Sequence, residues 1–184
     1  VMEFPYHRSP SIDLSTNPNV YVIGDSVSSG IGQEKEAWPA ILARLEKIDV
    51  ENLARGGAKT STAMSQAERI PSHGSVVLIE IGGNDLLGTT PAARFERDLD
   101  ELLASVAIPS RDVILFELPL PPLRNEYGRI QRRIAAKHGV RLLPKRHFMS
   151  VLTSYGATSD GIHLTDAGHE RMAAMIRRQV QKKP

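Results

Sequence analysis

SVVLIEIGGND, residues 75–85, decides the architecture. Val76-Val77-Leu78-Ile79 is continuously apolar rather than alternating. The strand expected over 75–81 must therefore be covered on both faces, as strands of parallel sheets are. The run stops at a glycine pair followed by Asn84 and Asp85, polar residues where the chain leaves the core. Val113-Ile114-Leu115-Phe116 is a second such run, within a strand expected over 112–118. Further strands are expected over 20–24, 48–53 and 140–143. Helical patterns lie near 36–47, 60–70, 91–106, 126–138 and 165–181. His138-Gly139 supplies a glycine stop to one helix, Pro39 a first-turn proline to another, and Thr165 an N-cap to the last. Trp38 is expected to pack its helix against the sheet. Strand and helix alternating about five times predict one α/β domain, a parallel sheet with helices on both faces.

The 184 residues suit a single domain, with residues 1–19 as an N-terminal extension holding three prolines and residues 20–184 as the domain. A hydrophobic content of 41% with 24% charged residues is that of a soluble globular chain. The net charge of +2, with no basic block interleaved with aromatics, argues against a nucleic-acid partner. The absence of cysteine excludes disulfides, thiolate metal sites and a cysteine nucleophile. No histidine pair has the i, i+4 metalloprotease spacing, so no metal is expected. Apolar runs fall far short of the roughly 20 residues that span a bilayer. Residues 1–19 lack the apolar core of a signal peptide, and a valine start is that of a trimmed or processed chain. Cytoplasmic, periplasmic and secreted locations all stay open, as does the oligomeric state.

In open α/β sheets, ligands bind beyond the carboxyl ends of the strands. Gly24-Asp25-Ser26 follows the first strand, Asn52 and Gly56-Gly57 the second, and Gly82-Gly83-Asn84-Asp85 the third. Asp160 and His163 precede the final helix. A serine hydroxyl is a weak nucleophile until a base accepts its proton, and a histidine does so best when a carboxylate fixes its tautomer. Asp160 and His163 are close enough in sequence for one to orient the other. The oxyanion formed on attack needs donors, and backbone amides of a glycine loop or the Asn84 side chain are suitable. Gly57 lets its backbone approach a substrate that a Cβ would crowd.

Taken in order, Gly24-Asp25-Ser26, Asn52 with Gly57, Gly82-Gly83-Asn84-Asp85 and Asp160-Gly161-Ile162-His163 resemble the four sequence blocks of the SGNH (GDSL) hydrolases, over residues 20–180. GQEKEAWPAIL (32–42) and LPLPP (118–122) are similar to the bacterial branch of thioesterase/lysophospholipase-type esterases and arylesterases. The resemblance implies a flavodoxin-like α/β/α three-layer sandwich with a five-stranded parallel sheet, and no metal or cofactor. It implies Ser26 as nucleophile, His163 as base and Asp160 as its partner. It also implies an oxyanion hole from the Ser26 amide, the Gly57 amide and the Asn84 side chain. The substrate implied is a small-molecule carboxylic ester, or a thioester, of short to medium acyl chain. Leu86, Leu87, Pro121 and Ile162 flank these blocks and are candidates for an acyl site.

Each residue alone also has a plainer reading. Ser26 and Asn84 are ordinary turn residues, Asp160-Gly161 an ordinary turn, and Asp25 and Asp85 loop braces. Four blocks in order at strand ends outweigh these. The context Gly-Asp-Ser-Val is not the Gly-x-Ser-x-Gly of α/β-hydrolases. His7, His73, His138, His147 and His169 lack a carboxylate at loop spacing and are expected to be structural or solvated. Arg129, Arg133 and Lys137 are read as a solvated helix face. A carbohydrate O-acetylesterase, and a non-catalytic acyl-binding module on the same fold, are the alternatives.

Overall fold

The computed structural model describes residues 12–14, 19–32, 34–72, 75–119 and 125–181. A short parallel pair joins β1 (Ile12–Asp13) to a terminal strand at Val180–Gln181. The main sheet has five parallel strands: β2 (Asn19–Gly24), β3 (Asp49–Asn52), β4 (Ser75–Glu80), β5 (Arg111–Phe116) and β6 (Arg141–Leu143). Their order is β3-β2-β4-β5-β6. This is the flavodoxin-like order expected, and its reversal falls between β2 and β4, where a crevice opens at the strand ends.

Alternation along the central strands divides the core. Tyr21, Ile23, Val77, Ile79, Val113 and Leu115 face one way. They meet α3 (Met64–Ala67), α5 (Ala92–Val106) and α6 (Asn125–Lys137), through Ala67, Phe95, Leu99, Leu102, Ile130 and Ile134. Val20, Val22, Val76, Leu78, Ile114 and Phe116 face the other way, toward α2 (Trp38–Glu46), α7 (Lys145–Leu152) and α8 (Asp166–Arg177). Burying both faces is what the uninterrupted apolar runs require. Trp38 is wholly buried with its ring 6.2 Å from that of Phe116, so it does pack α2 on the sheet.

The structure departs from the sequence reading in four places. The final helix stops at Arg177, and Val180–Gln181 forms β7 beside β1. Ile12 and Leu14, in the stretch read as an extension, are buried in the core. Only Met64–Ala67 is helical in the 60–70 pattern. Finally α7, together with the short helices α1 (Ser26–Ser29) and α4 (Gly83–Leu87), was not expected. Helix α7 has only eight residues, so its apolar stripe of Phe148, Met149, Val151 and Leu152 spans barely two turns, too short to mark a helix in sequence. Arg133 and Lys137, read as part of a solvated face, are indeed more than half exposed and pair with Glu96 and Asp100 of α5 at the surface.

His169 ties α8 to α2. It is 1% exposed, and its Nδ1 accepts the Trp38 amide at 3.1 Å. A backbone N–H only donates, so this nitrogen must be unprotonated. Burial lowers the pKa of the ring, against smaller opposing effects of Glu34 and Asp166. A histidine depressed in the folded state contributes stability above its unfolded pKa of about 6.5; that stability is lost as pH falls below it and levels off under the folded value. Urea midpoints measured from pH 8 to pH 5 are therefore expected to fall more steeply for the wild type than for His169→Gln. Equal slopes would show that the ring titrates alike in both states.

Candidate active site

β2 ends at Gly24 against β4, and α1 starts two residues later. Asp25 caps α1, its Oδ1 accepting the Val27 amide at 3.0 Å, and Ser26 stands on the first turn. A Cβ on Gly24 would lie 2.7 Å from Ser28 Cβ and 3.0 Å from Glu80 O, so the turn closes only with glycine there. Gln66 of α3, itself buried, grips both backbone groups of Gly24: its Oε1 accepts the amide at 2.9 Å and its Nε2 donates to the carbonyl at 3.0 Å. Asn52, at the end of β3, donates to Ser28 O at 2.8 Å. The serine turn is thus held from β3, β4 and α3.

Ser26 Oγ lies 3.1 Å from His163 Nε2, and His163 Nδ1 lies 2.7 Å from Asp160 Oδ2. The carboxylate only accepts, so Nδ1 carries the proton and Nε2 is left to accept from the hydroxyl. Asp160 Oδ1 also accepts the amides of Ile162 at 3.0 Å and His163 at 2.8 Å. The His163 ring, then the two amides, hold the Asp160 carboxyl far below the usual carboxylate range. It stays ionised at any pH where the imidazole is neutral. The loop carrying the pair is closed by a bridge between Thr158 and Leu164 and by Ser159 N donating to His163 O at 2.9 Å. Thr165 caps α8 behind it.

Asn84, on α4, donates from Nδ2 to Ala58 O at 3.0 Å and to Asp25 Oδ2 at 3.2 Å. The amide thus stands between the serine turn and the Gly57–Ala58 loop. An oxyanion would share one of these two hydrogens, and the longer bond to Asp25 is the easier to share. Gly57 has φ +75, a backbone conformation that favours glycine, and no protein atom lies within 4 Å of a Cβ position there. Asp85 Oδ2 accepts the Thr60 amide at 2.8 Å and hydroxyl at 3.0 Å, fastening that loop to α4.

A cavity of about 590 Å³ opens beside Ser26, and its wall is largely apolar: Leu86 and Leu87 of α4, Leu118 and Pro119 after β5, Met149 and Leu152 of α7, and Ile162. Pro121 lies outside the described residues. Glu117 places α7, its buried carboxylate accepting the Lys145 amide at 3.0 Å and pairing with Arg132 at 2.8 Å. Gln131 of α6 repeats at β5 what Gln66 does at β2, accepting from Leu118 N at 2.9 Å and donating to Phe116 O at 3.2 Å. None of Gln66, Glu80, Glu117 and Gln131 was singled out from the sequence. Glu80 and Glu117 carry a signal, each a lone acid in an apolar strand segment, whereas Gln66 and Gln131 lie among other polar helix residues and carry none. Among the described residues no cluster of three or more histidines and carboxylates could hold a metal ion, and no helix is long and apolar enough to cross a membrane.

Residues 22–171 match the family described as GDSL-like lipase/acylhydrolase. The chain is 28% identical over 176 residues to the thioesterase 1/protease 1/lysophospholipase L1 of Escherichia coli K12, covering 87% of this chain and 82% of the relative. It is 24% identical to an arylesterase of Vibrio mimicus, covering 88% and 87%. The solved structure of TesA superposes with a TM-score of 0.74 at 25% identity, covering 88% of this chain and 97% of that one.

Proposed function

The chain belongs to the GDSL-like lipase/acylhydrolase family and is a carboxylic ester hydrolase, and on that premise we propose that Ser26 carries the acyl group. Ser26 Oγ attacks the ester carbonyl while its proton passes to His163 Nε2, and the carbonyl electron pair becomes an oxyanion. The Ser26 and Gly57 amides and the Asn84 side chain face that charge. Collapse of the intermediate expels the alcohol, which takes the proton from Nε2. Water, deprotonated by the same nitrogen, then attacks the acyl-serine. The carboxylic acid leaves and the hydroxyl is restored. Asp160 holds the ring in the Nδ1–H tautomer and balances the imidazolium without taking its proton.

The observation that carries this reading is the Ser26–His163–Asp160 chain of hydrogen bonds opening on an apolar cavity. A volume of about 590 Å³ lies within the usual range of ligand pockets, roughly 300–1,000 Å³. It has room for an acyl chain longer than acetyl, which supports short to medium acyl esters, and thioesters with them. The test is kcat/KM on nitrophenyl acetate, butyrate and octanoate, beside an acyl thioester and acetylated xylan. Butyrate and octanoate are expected to outperform acetate, because each methylene drawn into the cavity is worth about 0.8 kcal/mol. Turnover confined to acetylated xylan would overturn the acyl-site reading.

A further inference from the structure

Glu80 is the last residue of β4, 2% exposed, at the floor of the apolar cavity beside Asp25. Two carboxyl groups there meet each other. Glu80 accepts Ser28 Oγ–H at 2.9 Å, and its carboxyl group interacts with that of Asp25. Asp25 in turn accepts the Val27 amide and the Asn84 amide, and it faces His163. One residue therefore touches both the helix that carries Ser26 and the carboxylate that holds Asn84.

We propose that Glu80 is a positioning residue: a neutral carboxylic acid that donates its proton to Asp25 and so fixes both Ser26 and Asn84. The proposal rests on Ser26 as the nucleophile. Two buried carboxylates in contact cannot both be ionised cheaply, so the pair keeps one proton. The charge belongs on Asp25, which has two amide donors and the positive side of the imidazole in the reaction. The proton belongs on Glu80, which beyond Asp25 has one hydroxyl donor, Ser28 Oγ, at the edge of the apolar cavity. Burial, then the Asp25 charge, raises the Glu80 pKa well above its usual range. Asp85 on α4 also acts on Asp25, in the same sense. A second negative charge behind Asn84 would oppose the oxyanion, so the shared proton keeps the electrostatics of the hole favourable. An acyl chain in the cavity meets a neutral acid rather than a carboxylate.

Glu80→Ala leaves Ser28 Oγ without its acceptor and Asp25 without its neighbouring acid, and so frees the serine turn. Kcat on a soluble butyrate ester is expected to fall about 10²-fold, the usual result of a small misplacement, with KM changed far less. Glu80→Gln can donate to Asp25 and accept from Ser28, and should recover most of that loss. Infrared difference spectra between wild type and Glu80→Gln, at neutral pH, should show the carbonyl band of a protonated buried acid in the wild type alone. Absence of that band, or a Gln variant as impaired as the Ala variant, overturns the proposal. The infrared measurement needs no turnover. If a fluorophosphonate failed to label Ser26, the nucleophile reading would fall while the protonation of Glu80 was still decided.

Discussion

Ser26→Ala is expected to reduce kcat on a nitrophenyl butyrate by about 10⁶, the cost of removing a triad serine, while circular dichroism and thermal midpoint stay at wild-type values. The loss is chemical because the hydroxyl is the only group at that position able to form the acyl bond. The fold is insulated because nothing that holds the turn belongs to the Ser26 side chain. Asp25 caps the helix, Gln66 grips Gly24, Asn52 holds Ser28 O, and Ser28 binds Glu80. Among the described residues the Ser26 hydroxyl has one hydrogen-bond partner, His163 Nε2. A fluorophosphonate should add one adduct to the wild-type protein, on Ser26, and none to the variant. Labelling at another serine, or an alanine variant that still turns over through an acyl-enzyme, would remove Ser26 from the mechanism.

The base and its partner separate in a double-mutant cycle. His163→Ala removes the acceptor that faces the Ser26 hydroxyl and is expected to cost about as much as the serine. Asp160→Asn keeps the shape, yet its amide can donate to Nδ1 and so favour the wrong tautomer; a loss of about 10⁴ in kcat is expected. Asp160 acts only through His163, so the double variant should be little worse than His163→Ala alone. Its carboxyl is held ionised by the ring and by the amides of Ile162 and His163. The acid limb of kcat/KM therefore cannot come from protonation of Asp160, and Asp160→Asn should lower the profile without removing that limb. If the two losses multiply in full, the residues do not work as a unit. The carboxylate partner would then have to be another group, with Asp25 and Asp85 the next to test.

The sheet was legible because its three central strands, β2, β4 and β5, are written as buried apolar runs, while the short edge strands β3 and β6 follow from the alternation of strand and helix. The five strands expected coincide with β2 to β6 to within two residues at most ends. The three residues joined by the hydrogen-bond chain were legible for a different reason. Loops at strand ends are free of packing demands, so a serine, an aspartate and a histidine there stand out. What stayed hidden is what packing and topology supply. Helix α7 buries two side chains and depends on Glu117 for its start. Strands β1 and β7 are two residues each and exist only by pairing with each other across the whole length of the domain. Glu80 reads as the end of a strand, since nothing in SVVLIE reveals that Asp25 lies against it.

Gln66 and Gln131 fill the places in the hydrogen-bond ladder where a neighbouring strand has run out. Each side-chain amide mimics a peptide unit and continues the sheet sideways into a helix. Helices α3 and α6 therefore act as splints for the two strand ends that border the crevice. The consequence is genetic. Amino-acid changes in these helices, remote from any bound ester, can present as enzymes that fold, remain soluble and turn over poorly, and a search for such defects confined to residues that touch substrate would miss them.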